Sequence, residues 1–257
     1  MKQISQIVLA CLFIGAGCQS VAPEPPVWEQ VKFKDLAPSR NPQQTDTPLQ
    51  FNVYFFSVPA GNFPAVKDIW TTLAAKQIRF NNAGLFSQNG FVAGFGQQTA
   101  WPAVAEKLRN ADTKSQKTIE LIIPANNTDS VSLLRLDAEK NIFYKAQYDQ
   151  VSGVTVGPGQ SFFRFTASTI PDMRGVCRLT VEPIFQSTVR QYPTSGNTSE
   201  LVFKAVSFSA QMSPGDFLLL GPSDYADQDM TLRGIFFSSP GQSAAQIYLI
   251  VCAGVNN

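Results

Sequence analysis

Apolar residues gather in short runs divided by turn residues, most densely at the C-terminal end from Leu201 to Ala253. The runs read LVFKAVSFSA from Leu201, FLLLG from Phe217, LRGIFF from Leu232 and IYLIVCA from Ile247. Each is predicted to be a strand. Pro214-Gly215 and Pro240-Gly241 lie between runs, and in such a pair proline presets φ near −65° while glycine accepts φ above zero, the chemistry of a type II turn. Strands leaving such turns are placed to pair, so this stretch is expected to form the β core around which the chain is organised.

Upstream, the pattern alternates between strand and helix periods. FNVYFFSV, Phe51 to Val58, is apolar on both faces and predicts a central strand. Phe63, Val66, Ile69, Trp70, Leu73 and Ala74 fall on one helical stripe, with Asn62 as the expected cap and Pro64 in the first turn. Asn89-Gly90 predicts a turn into the strand FVAGFG, with glycine in the left-handed region. A second amphipathic helix is expected around Pro102 to Ala111, with Val104, Ala105, Leu108 and Ala111 inward. TIELII then alternates Ile119, Leu121 and Ile123. With a short strand at Gln77 to Phe80, the order becomes β-α-β-β-α-β, a compact two-layer unit.

From Ala125 onward no helix is predicted. SVSLLRL, NIFYKAQY, VSGVTV, SFFRFTAS and GVCRLTVEPIF read as further strands, separated by Asn, Asp, Gly and Pro. The expected fold is therefore α+β, mostly β: a small β-α-β-β-α-β-like module over residues 49–124, followed by a β-sandwich-like domain over 125–257. PGQS occurs at Pro158 and again at Pro240, but the spacing of the Pro-Gly pairs is unequal and no repeat architecture follows.

The aromatics sharpen this picture. Twenty Phe, six Tyr and three Trp include the doublets Phe55-Phe56, Phe162-Phe163 and Phe236-Phe237. Adjacent strand residues point to opposite faces, so a doublet requires cover on both sides, from another layer or from a partner subunit. Charge excludes one class of partner. There are 20 basic and 19 acidic residues, and no basic field exists to attract nucleic acid.

The N-terminus supplies an address. Lys2 precedes the apolar run Ile7 to Ile14, and Gly15, Ala16 and Gly17 precede Cys18. This is the layout of a secretory signal over residues 1–17, too short to span a membrane. GAGC resembles a bacterial lipobox, with Gly15 where leucine is usual, which implies lipid attachment to Cys18. The alternative is an ordinary cleaved signal, whose nearest small-x-small site, Ser20-Val21-Ala22, is followed by the disfavoured Pro23. Residues 18–48 carry six prolines and are expected to form a tether. Within them VWEQVKFKDL alternates like an edge strand and is expected to dock on its own domain; a partner motif is the other reading. The expected location is the cell envelope, on the outer membrane and facing the periplasm.

Cys11 leaves with the signal and Cys18 takes the lipid. Cys177 and Cys252 remain in the folded part, both on strand candidates, and are a candidate disulfide or a pair of buried thiols.

Candidate chemistry is sparse. The chain contains no histidine, which removes Ser-His-Asp and Cys-His catalysis and histidine-ligated metals. GxSxG, Walker and dinucleotide motifs are missing. Asp224, Asp227 and Asp229 form an acidic cluster without the spacing or glycine of a calcium loop, and a solvated turn is the preferred reading over a calcium site. Arg164 and Lys204 are expected at the surface. No catalytic residue, metal or cofactor is therefore expected, and the chain is read as a non-enzymatic protein.

Two resemblances rest on these residues. RLTVEPIF, VSFSAQMSPGDFLLLG, LRGIFF and IYLIVCA resemble the closing strands of secretin-type domains of bacterial export machines, over about the last third of the chain. The exported part, including WTTLAAK and NGFVAGFG, is similar to envelope lipoproteins of planctomycete-type bacteria. The chain lacks the N-terminal ring modules of secretins and a clear pair of membrane-crossing hairpins. The resemblance implies a structural or assembly component of the envelope, in a secretion-like complex, working by self-association or with an envelope protein partner. The alternative is a monomeric β-sandwich that binds glycan or peptide, with Tyr192 and Tyr225 as loop candidates.

Overall fold

The computed structural model describes residues 48–74, 76–146, 150–187, 200–225, 230–239 and 242–255. The signal segment, Cys18 and most of the tether therefore lie outside the described residues.

FNVYFFSV sits within β1 (Leu49–Pro59), and the reason it is apolar on both faces is its position. β1 is hydrogen-bonded on one side to β4 (Lys114–Ile123) and on the other to the last strand, β14 (Gln242–Gly254). β12 (Phe217–Pro222) and β3 (Phe91–Gly96) continue this antiparallel sheet in the order β3-β12-β14-β1-β4, with β13 (Ser238–Ser239) beside β14. Alternate residues then part company. Phe55 faces one core and Phe56 the other, at 4% and 0% exposure.

Phe56, together with Leu219 and Leu249, packs under two helices, α1 (Phe63–Thr72) and α3 (Trp101–Asn110). Their predicted stripes form the buried faces through Val66 and Ile69 on one and Val104 and Leu108 on the other, but the first ends early: Trp70 is half-buried, and Ala74 lies beyond the helix, exposed and bridged to Phe95. Asn62 makes no side-chain cap, and Pro64 occupies the first turn, where its missing N–H costs nothing. Between them, Asn82 caps a short helix not seen in the sequence pattern, α2 (Ala83–Gln88), by accepting from Leu85 N–H at 2.9 Å.

The opposite face of the first sheet meets a second sheet, ordered β2-β11-β9-β8-β5. Its strands are β2 (Ile78–Phe80), β5 (Thr128–Leu136), β8 (Gly159–Thr169), β9 (Cys177–Ser187) and β11 (Phe208–Met212), with β10 (Glu200–Val202) beside β9. Phe163, Phe165, Leu179 and Val181 project into the inter-sheet core, fully buried. The outer face carries Arg164, ion-paired with Glu182 (3.8 Å) and with Glu200. The hydrogen bond from Arg164 holds the Glu200 carboxyl below the usual carboxylate range. A two-stranded hairpin, β6 (Lys140–Lys145) with β7 (Val151–Val156), lies against one end.

The architecture is thus helices on sheet on sheet: mostly β, α+β and antiparallel, as expected. Four expectations are corrected. The 49–124 stretch does not close as its own unit: β12 and β14 separate β3 from β1, and β2 pairs with β11, so the sheets cross the expected boundary at 124/125. LRGIFF is not a strand but α4 (Leu232–Phe237), so a helix does follow Ala125. Thr231 begins it by accepting from Gly234 N–H at 3.3 Å, and all but Arg233 are buried. LVFKAVSFSA is broken by a 3-10 turn at Lys204–Val206, which places Lys204 in a turn rather than a strand. Of the two Pro-Gly pairs between the C-terminal runs, Pro240-Gly241 lies outside the described residues. Pro214-Gly215 forms the expected type II turn, with Gly215 at φ 90° and Asp216 N–H donating to Ser213 O at 2.9 Å.

Helix α4 fills the inter-sheet core with rings. Phe236 stacks on Phe163 at 5.5 Å between centroids, and Phe237 meets Phe91 edge-on at 4.7 Å. The buried Ser161 hydroxyl accepts from Leu134 N–H (3.1 Å) and donates to Ile235 O (2.9 Å), joining α4 to the irregular part of β5. Every Phe doublet is covered by the protein's own layers except Phe162, which is half-buried on the outer face of β8.

Candidate binding cleft

Asn89 and Gly90, the residues that turn α2 into β3, build one wall of an open cleft of about 300 Å³. Asn89 is 6% exposed. Its Nδ2 donates to Leu85 O (2.7 Å) and Lys145 O (3.0 Å), while its Oδ1 accepts from Lys145 N–H (2.8 Å). The side-chain amide therefore bonds both main-chain groups of Lys145, as a neighbouring strand would. That fixes the end of β6 along the edge away from β7, where Phe143 N–H also donates to Met230 O at 2.7 Å.

Gly90 has φ 78°, the left-handed value expected from the Asn-Gly pair. A Cβ there would lie 2.9 Å from Arg233 Cδ, so glycine lets the arginine stem lie flat on the turn. Gly90 O accepts from Ser223 N–H at 2.9 Å, tying in the segment after β12. Lys145 and Arg233 supply positive charge to the cleft lining, and Ser87, Ser223 and Thr231 supply hydroxyls. Phe143 and Val151 remain 49% and 63% exposed beside them, an apolar pair on the hairpin. The Phe143 ring covers Gly153 across the hairpin, which has no side chain to displace it. An aromatic face beside convergent donors can hold a planar or extended polar partner.

The residues singled out from sequence are placed as follows. Cys18, Tyr192, Asp227 and Asp229 lie outside the described residues. Asp224 is exposed and ion-paired with Lys67 at 3.1 Å, and that hydrogen bond lowers its carboxyl pKa. Tyr225 packs partly buried against the helix-side core. Cys177 and Cys252, by contrast, are brought together as free thiols, both fully buried. Sequence reasoning missed the cleft. Its one legible signal was Asn89-Gly90, and that identified a turn.

Among the described residues no helix is long and apolar enough to cross a membrane, and no group of three acidic or cysteine side chains is placed to hold a metal. No protein-family model, curated protein or solved structure matches the chain.

Proposed function

We propose that the chain is a non-enzymatic envelope lipoprotein, anchored through Cys18, that serves as an assembly component by docking an envelope protein partner in the α2–β6 cleft. The observation that carries this reading is the hairpin held rigidly by Asn89 while it leaves Phe143 and Val151 exposed beside Lys145 and Arg233. Exposed aromatics rimmed by arginine are favoured contact anchors. A tether confines such a surface to the membrane and raises its effective concentration toward partners there.

The sheet edges favour the cleft over edge-to-edge self-association. At the β4 edge, Lys117 reaches over the Phe55 ring (4.1 Å) and donates to Ser132 O at 3.3 Å, an inward-turned charge that protects an edge. In the second sheet, the end strand β2 has three residues, too short to template a long pairing.

Photo-crosslinking in cells tests the reading, with the probe at Phe143 or Val151 and at the exposed Met173 as control. A discrete protein adduct is expected from the first two positions, lost in an Arg233→Glu variant and not seen from Met173. Equal labelling, or none, rejects it. The second reading, glycan binding, is favoured by the same open cleft with its aromatic and hydroxyls. Saturable retention on peptidoglycan, abolished by Phe143→Ala, would put it first.

A further inference from the structure

The turn Ser213–Asp216 carries the chain from the second sheet to the first, and a cysteine stands on each side of it. Cys177 is the strand partner of Met212, the last residue of β11. Cys252 accepts from Gly215 N–H and donates its own N–H to Asp216 O, both at 2.9 Å. The sheets are held together at this corner by the chain itself, and the two cysteines flank the angle within one buried core. Both are 0% exposed. Cys177 comes from a second-sheet strand that shares its buried face with Leu179 and Val181. Cys252 comes from the last strand of the chain, which lies in the middle of the first sheet.

We propose that Cys177 and Cys252 close into a disulfide that locks the two sheets at the β11–β12 corner. The oxidant is a protein disulfide of the exchange-active class, met outside the cytoplasm. One cysteine thiolate attacks a sulfur of that disulfide, and a mixed disulfide forms as the other catalyst sulfur leaves as thiolate. The second cysteine thiolate then attacks its partner sulfur, the intramolecular S–S bond forms, and the catalyst departs as a dithiol. Two thiol protons and two electrons have moved, and atoms balance. Because both sulfurs are inaccessible in the folded protein, exchange precedes final closure of the core. It therefore waits for β14, which follows the other described strands of both sheets along the chain and must insert between β1 and β12. Once buried, the bridge is shielded from reductants. A bridge across facing sheets is a known device of β-sandwiches. Here it would close a loop of about 75 residues, long enough for a chain-entropy gain on the order of 10³-fold in the folding constant.

This inference rests on the envelope reading for its oxidant alone, and one digest separates the two. The full-length protein is extracted from membranes in detergent without reductant. It is denatured with an alkylating agent present and mapped by mass spectrometry. The expected result is a 177–252 linked peptide, no alkylation at either cysteine before reduction, and alkylation at both after it. Unfolded in the absence of reductant, the protein should melt roughly 10 °C above its reduced form. A C177A/C252A variant should show no such response. Should that variant fail to fold, the peptide map of the natural chain decides alone. Free thiols at both positions in protein whose N-terminal peptide is acylated overturn the bridge and leave the anchor standing. Free thiols with an unprocessed N-terminus overturn both, and a link from either residue to Cys18 overturns the proposed pairing.

Discussion

The phenol of Tyr248, in the central strand β14, donates to the main-chain carbonyl of Phe236 at 2.6 Å. Burial pushes its pKa far up, so it stays a donor throughout the working range. Tyr248 also meets Phe163 edge-on at 5.2 Å and Phe55 at 5.1 Å. One residue thus orients helix α4 against both sheets. Tyr248→Phe keeps the ring contacts and leaves the Phe236 carbonyl without this donor. A loss of about 1–2 kcal/mol is expected from urea unfolding, with an unchanged slope.

Asn89→Ala removes the side-chain amide that serves as a strand neighbour to Lys145. Two half-buried main-chain groups of Lys145 lose this amide, and a cost of about 1–3 kcal/mol is expected. The loss should be local. Hydrogen exchange is expected to accelerate at Lys145 and along the β6–β7 hairpin, while β1 and β14 keep their protection.

Gly90→Ala tests the wall of the cleft. The new Cβ adds strain at a positive φ and meets the Arg233 stem at 2.9 Å, so about 1–2 kcal/mol should be lost. Crosslinking from Phe143 should fall with it, because Arg233 is displaced from the lining. A variant that loses stability and keeps full crosslinking would remove Arg233 from the docking argument.

Asp216 gives the corner turn a pH dependence. Burial raises its carboxyl pKa, against the opposing hydrogen bond from Ser213 N–H at 2.8 Å. A carboxyl with a higher pKa in the folded state binds its proton more tightly there. Its contribution favours folding at pH below the unfolded value and is lost as pH rises through the folded one. Asp216→Asn retains an oxygen for Ser213 and cannot titrate. It should be the more stable protein at pH 7, and the difference should close as pH falls below about 4, the unfolded carboxylate value. Urea midpoints of both proteins from pH 3 to pH 7 check the sign.

Lys117→Leu removes the inward charge from the β4 edge. Partial burial already lowers the pKa of this lysine, the cost of holding it over Phe55. Its loss should leave the fold intact and expose a plain apolar edge. Light scattering should then show mass rising with concentration more steeply than in the natural protein.

Periodicity by itself determined which residues are buried, because the face of an element follows from spacing along the chain. Val66 and Ile69, Val104 and Leu108, and the two-sided Phe55-Phe56 pair all went where their spacing required. The turn at Pro214-Gly215 was equally legible, since its backbone angles are properties of those two residues. Periodicity cannot name the partner across a sheet. A strand such as IYLIVCA satisfies any apolar neighbour, and its insertion between β1 and β12 depends on contacts nearly 200 residues apart. That insertion is why the 49–124 stretch does not stand alone. A run of six residues is also too short for its period to distinguish strand from helix, and LRGIFF became α4 through the Thr231 cap and the space between the sheets. The cleft and the meeting of Cys177 with Cys252 are decisions of the tertiary structure for the same reason. Each joins residues whose only relation is the path of the folded chain.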